Sequence, residues 1–309
     1  MMNKYNVFLA IGVFVGLFVS CEQYAIFDAI SKEVKPKPAL IKGSPSKIVK
    51  DSAGNLYVAN GELWKYSGGW AKISAPDNTR DVATVGNDVY VIAVGDSPSL
   101  SKLGGGGIGV SGTVQGIFGA NNTLFIAVGN GNSYSVAAYN GSTISAIADV
   151  TGLLKGAAHY GSNNYYLATD SGLYHSTSAT SGFTSIKSGD FKGVIELSSS
   201  KVIAVTESAV YEVTGSTATS KADADSLTGA LAAFGDTLYL GRSRGYREVN
   251  MTSWSVSTPT MATYTSTIAL VRVTAMYAVS ADLIFASVLS SEPKRSGLMS
   301  LRGGWNMEE

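Results

Sequence analysis

Asp51-Ser52-Ala53-Gly54-Asn55-Leu56-Tyr57-Val58-Ala59-Asn60-Gly61, running on into Leu63-Trp64-Lys65-Tyr66 and then, past Ser67-Gly68-Gly69, into Trp70 to Ile73, decides the fold. Asp51 to Gly54 is turn chemistry, with a glycine free to take positive φ. Asn60-Gly61 is a hairpin signal. With a short strand at Ser46 to Lys50, the segment reads as four antiparallel strands in meander order: 46–50, 55–59, 63–66 and 70–73. The second of them is apolar on both faces, whereas a strand with one face in water would alternate.

Outward from this stretch, the second-strand pattern recurs at Asp88-Val89-Tyr90-Val91-Ile92, Thr123-Leu124-Phe125-Ile126-Ala127 and Asn164-Tyr165-Tyr166-Leu167-Ala168. It returns at Lys201-Val202-Ile203-Ala204-Val205, Thr237-Leu238-Tyr239-Leu240-Gly241 and Asp282-Leu283-Ile284-Phe285-Ala286. From the first apolar residue of one copy to the next, subtraction of residue numbers gives steps of 33, 35, 41, 37, 36 and 45. An all-strand unit of roughly 40 residues is a propeller blade, and a ring of blades supplies the neighbour above and below that a doubly apolar strand needs. The expected fold is all-β, a seven-bladed β-propeller, with six or eight blades as alternatives because the two longest steps can hide loops. The third strand recurs as Ser171-Gly172-Leu173-Tyr174, Ser208-Ala209-Val210-Tyr211 and Ser296-Gly297-Leu298-Met299, and Leu301 to Trp305 echoes Tyr66 to Trp70. The chain thus starts on a first strand and ends on a fourth. The first and seventh blades are expected to close the ring by packing, although the segment before Ser46 could add an outer strand.

The N-terminus carries a different message. Lys4 precedes an uncharged apolar run from Val7 to Ser20, which is 14 residues. That is too short for a bilayer span of about 20 residues and right for a signal h-region. The run ends at Phe18-Val19-Ser20-Cys21, and Cys21 is the only cysteine. This resembles a bacterial lipoprotein signal in the relaxed form that spirochaete lipoproteins show, with Phe18 in place of the usual Leu and Val19 bulkier than usual. The resemblance implies that Cys21 is acylated, by diacylglycerol and palmitate-type chains, and becomes the first residue of a protein anchored in the bacterial envelope, periplasmic or at the cell surface. An ordinary secretory signal with a leftover thiol is the alternative. Residues 1–20 are then the leader, 21–43 a lipidated tether with Lys32, Lys35, Pro36, Lys37 and Pro38, and 44–309 the propeller.

Composition narrows the function. Without Lys4, the 23 basic residues become 22 against 23 acidic ones, a balance that excludes nucleic-acid binding by bulk charge. One cysteine excludes a disulfide framework and Cys-ligated metal sites. Single repeats carry family resemblance. Asp51 to Asn60 resembles an NHL-type repeat, and Ala168-Thr169-Asp170-Ser171-Gly172-Leu173-Tyr174-His175-Ser176 resembles a sialidase-type (BNR-like) or photosystem-assembly propeller blade, with Ser181-Gly182-Phe183 where an Asp-box would follow. Both imply architecture only, since one fold hosts many functions.

Nine to eleven residues before each second strand stands a polar or cationic side chain: Lys47, Arg80, Gln115, Lys155, Lys192, Thr228 and Arg272. A glycine follows four of them, at Gly116, Gly156, Gly193 and Gly229, where innermost strands crowd the axis. Repetition would gather the seven at a channel mouth, where five cations attract an anion: an anionic glycan, a phosphate-bearing group, or an acidic loop of a partner protein. The alternative is that they repeat by duplication and that each pairs with a nearby acid. His159 and His175 lack an acidic partner at ligand spacing and read as structural. Gly104 to Gly109 reads as a loop, not a phosphate cradle. Asp223, Asp225 and Asp236 fall short of a calcium site. Trp64, Trp70, Trp254 and Trp305 read as inter-blade packing, with sugar stacking as the alternative. No metal, cofactor or catalytic set is expected. The expected role is a binding or protein-interaction scaffold, against a glycan hydrolase or lyase, which would need a close carboxylate pair.

Overall fold

A strand that is greasy on both sides folds stably only between two neighbours, and the second strands are placed so. In the computed structural model, which describes residues 39–95, 98–197, 201–257, 268, 271–291, 296–302 and 304–308, Val202, Ile203, Ala204 and Val205 are each fully buried. Ile203 and Val205 pack against Leu227, Leu238 and Leu240 on one side, while Val202 and Ala204 pack against Ala158, Tyr166 and Ala168 on the other. At about 1.5–3 kcal/mol for each large aliphatic chain, this burial stabilises the blade only when both neighbours are present.

The described strands form seven sheets of four antiparallel strands each, in meander order. The protein is a seven-bladed β-propeller. In blade 1 the observed strands are Val49–Lys50, Leu56–Ala59, Leu63–Tyr66 and Trp70–Ile73. The innermost strands of blades 2 to 7 are Thr79–Val85, Thr113–Ala120, Leu154–Tyr160, Phe191–Leu197, Leu227–Phe234 and Arg272–Ser280. The 41-residue step is partly taken up by lengthened strands in blade 3, Thr123–Asn130 and Ser133–Tyr139. In the 45-residue step, residues 258–267, 269 and 270 fall outside the described residues.

The core is divided into seven clusters, one for each blade boundary. The cluster between blades 7 and 1 joins Ile48, Leu56 and Val58 to Ala275, Phe285 and Leu298. There the Phe285 ring lies 5.0 Å from Tyr66 and 5.3 Å from Trp70. Trp305 packs on Tyr246 of blade 6, and Lys221 lies over Trp254. These three tryptophans therefore sit in contacts between neighbouring blades.

The segment before Ser46 also contributes to closure. Lys42 bridges Gly297, the Leu40 N–H donates to the Glu308 carbonyl at 2.8 Å, and Ile41 is buried in the blade 7–1 cluster. The outer edge of blade 7 is thus shared by the C-terminal strand Trp305–Met307 and by residues 40–42. Ala39 and Ile41, which precede the boundary at 44 drawn from sequence, are apolar and buried against this edge. The leader, Cys21 and most of the tether lie outside the described residues.

Candidate functional site

Glycine leads the innermost strands because the axis leaves no room for side chains. A Cβ on Gly193 would lie 2.8 Å from the Gly229 carbonyl, and one on Gly156 would lie 3.0 Å from the Val194 nitrogen. Around this constriction runs a channel of about 580 Å³ lined by all seven blades.

The polar residues before these glycines stand out because the ladder breaks there. The pairing of innermost with second strand skips one residue in blades 2, 3, 4 and 5, and the skipped residues are Arg80, Gln115, Lys155 and Lys192. In blade 6 the break runs from Leu227 to Leu231 and contains Thr228. A bulged residue is freed from the ladder and its side chain is re-aimed. In blade 7 the skipped residue is Thr274, not Arg272. Thr274 stands nine residues before Leu283, the spacing of Lys47, Arg80 and Gln115 from their strands. A second break in the same strand lies between Ala278 and Ser280. Thr274 lines the channel and bonds Ser44, Ser287 and the Pro45 carbonyl, whereas Arg272 is exposed at the strand's first position.

The seven predicted residues do not form one uniform ring of charge. Lys47 is neutralised. Its Nζ lies 2.7 Å from Asp81 and 3.8 Å from the centre of the Phe118 ring, and it also donates to the Ile117 carbonyl. Burial pushes its ammonium below the usual lysine range, Asp81 draws it back up, and Arg80 depresses it further. Asp81 stands where four other blades have glycine, and it is satisfied by Lys47, the Ile117 N–H at 3.1 Å and the Val82 N–H at 2.9 Å. Lys192 pairs with Asp190 at 2.6 Å. Arg80 donates to the Val114 carbonyl at 2.7 Å and keeps its net charge. Thr228 donates to the Val273 carbonyl, and Gln115 lies back over Gly129. Lys155 lines the channel, half-buried, and among the described residues it has no hydrogen-bond or ion-pair partner.

Where the innermost strands end, the lining is different. His159 and Glu196 occupy the same place in blades 4 and 5, opposite Tyr165 and Val202, the first apolar residues of their second strands. His159 is buried, 4.7 Å from the Tyr165 ring and 3.4 Å from the Asn121 amide. Burial pushes the Glu196 carboxyl up, and His159 pulls it down without cancelling that effect. Sequence spacing could not show this pair, because 37 residues separate them and only the blade repeat brings them together. His175 lies apart and bonds the Asn164 amide at 2.9 Å. Asp225 is held by Arg242 and Arg247. The glycines 104–107 fall at the hairpin between the third and fourth strands of blade 2, Ser99–Lys102 and Gly107–Ile108. Among the described residues no cluster of three or more His, Cys, Asp or Glu is placed to hold a metal.

No known protein family and no curated protein matches the chain. Solved structures do. One is YCF48 bound to D1 peptide, at TM-score 0.58 and 10% identity over 87% of this chain and 97% of that one. Another is the extracellular domain of a proposed one-component system from B. thetaiotaomicron, at TM-score 0.63 and 14% identity over 87% of this chain and 40% of that one. A third is the AfRom2 CNH domain, at TM-score 0.57 and 8% identity over 85% of this chain and 94% of that one. Identities this low establish a shared fold.

Proposed function

We propose that this protein is an extracytoplasmic binding propeller, held at a bacterial membrane by acyl chains on Cys21, whose basic mouth receives an acidic segment of a partner protein. The observation that carries this reading is Lys155. It is a channel-lining ammonium with no partner among the described residues, set at a bulge on the side where Arg80 also keeps its charge. A narrow low-dielectric mouth with uncompensated cations concentrates anions. Two of the five predicted cations, Lys47 and Lys192, add little, because each faces its own carboxylate. The extracytoplasmic address rests on the leader and Cys21, and an extracellular domain and a peptide-bound protein among the structural neighbours fit such a role.

Binding is favoured over glycan hydrolysis by the carboxylates in the channel. Asp51 lines it but is taken up by Asn55 and Tyr57, which leaves Glu196 without a free second acid among the described lining residues. Capture of a poly-glutamate peptide by the full chain, read at two salt concentrations, tests the proposal. Capture is expected to weaken with salt and to fall at least tenfold in Lys155→Glu. Equal capture by wild type and Lys155→Glu would overturn it. For the anchor, palmitate labelling in cells is expected in wild type and absent in Cys21→Ser.

A further inference from the structure

The two openings of the channel differ in chemistry, and the second has no role in the reading above. We propose that the opening where the innermost strands end is a separate binding site for a neutral, hydroxyl-rich ring, that is, a saccharide unit, held by Glu196, His159 and Asn121 on blades 3 to 5 and by Tyr277 across the channel on blade 7.

The argument starts from hydrogen-bond supply and demand. Glu196 lines the channel as a carboxylate that accepts no hydrogen bond and makes no ion pair among the described residues. Its raised affinity for a proton agrees with an acceptor short of donors. Glu196 is exposed at this opening, so its unpaired carboxylate is within reach of a ligand's hydroxyl groups. Hydroxyl groups of a ligand would supply the missing donors.

The neighbours suit the same ligand. Asn121 has a left-handed φ of 51°, and its amide makes only long bonds, 3.4 Å to His159 and 3.3 Å to the Tyr165 hydroxyl. Asn122 follows it on the lining with no side-chain partner among the described residues. Amides, an imidazole and a carboxylate together offer both donors and acceptors, which matches hydroxyls that are both. Tyr277 is half-buried and also lines the channel. Part of its ring packs on the blade 7–1 cluster, and the rest is left to meet the C–H face of a sugar. The channel lining is mixed polar and apolar, and the volume of the whole channel falls within the usual range for small-molecule sites.

Other ligand classes fit less well. Glu196 opposes an anion at this end. A metal would need more than one free carboxylate and one imidazole, and Asp51 is already saturated by its own turn. The inference is independent of the acidic-partner reading, because Lys155 belongs to the opposite end of its strand from His159.

Equilibrium dialysis of the full chain against labelled glucose, galactose, N-acetylglucosamine, glucosamine and glucuronate tests the proposal, at up to about 10 mM sugar, well above the millimolar affinities expected of single rings. At least one of the three neutral sugars is expected to bind, at least tenfold more tightly to wild type than to Glu196→Ala or His159→Ala. Lys155→Glu should bind it as wild type does. Unfolding curves of Glu196→Ala matching wild type would assign the loss to the site. Binding of no neutral sugar, binding unaffected by Glu196→Ala, or a tenfold preference for glucosamine or glucuronate would each overturn the proposal.

Discussion

Lys47→Met removes the ammonium that joins three blades near the axis. In the wild type Lys47 Nζ lies 2.7 Å from Asp81 of blade 2, and it also reaches the Ile117 carbonyl and the face of Phe118 in blade 3. Both side chains are largely withdrawn from water, at 19% and 8% exposure. Removing one partner of a buried pair costs about 3–5 kcal/mol, because the other charge is left uncompensated. Here Asp81 keeps two backbone N–H donors, which moves the expected loss to about 2–4 kcal/mol. Methionine refills most of the lysine stem's volume, so cavity effects stay small. Urea unfolding followed by fluorescence measures the loss. The midpoint should fall with the slope unchanged, since the surface exposed on unfolding is the same. Lys47→Met combined with Asp81→Leu should recover at least half of it, because the stranded charge is then gone. A single-variant loss below about 1 kcal/mol, or a double variant no better than the single, would refute the claim that the cost lies in an isolated carboxylate.

Gly193→Ala forces a Cβ to within 2.8 Å of the Gly229 carbonyl and should cost about 1–3 kcal/mol in the same assay; Gly229→Ala should cost more, because its φ of 86° adds backbone strain. Ile41→Ala should cost about 2–4 kcal/mol, since Ile41 is 1% exposed, and a change within experimental error would mean that residues 40–42 do not pack on the edge of blade 7. Burial, and after it the hydrogen bond to Asp51, raises the Tyr57 phenol to about 12. A folded value above the unfolded one of 10.0 leaves stability intact below pH 10 and removes it as pH rises through 12, by about 2–3 kcal/mol. Tyr57→Phe should lack that alkaline limb, and an unchanged limb would contradict the assignment.

Much of the architecture was legible because it rests on local pattern. Strands at 63–66 and 70–73 stand where turn residues and apolar runs placed them, and the seven recurring second strands correspond to seven blades, the first of the blade counts the sequence left open. What escaped depends on contacts between blades or on single-residue irregularities. Thr274 was missed because Arg272, two residues earlier, also fell within the nine-to-eleven-residue spacing and carries a charge, while the break that singles out Thr274 leaves no mark in the sequence. Ile41 lay in a segment rich in lysine and proline nearby, where its burial depends on an edge about 250 residues further on. Glu196 carries no signal in the sequence, because only blade stacking sets it beside His159. Composition could not tell Lys155 from Lys47, because the difference is whether an acid in a neighbouring blade meets it.

Closure of the ring underlies every site described, and a disulfide tests it most directly. The Ser44 and Thr274 hydroxyls lie 2.7 Å apart although 230 residues separate them in sequence. In a Cys21→Ser background, Ser44→Cys with Thr274→Cys should oxidise within one chain and raise stability by on the order of 5 kcal/mol, as expected for a loop of that length. Failure to form the bond, or its formation only between chains, would contradict a closed ring of seven blades.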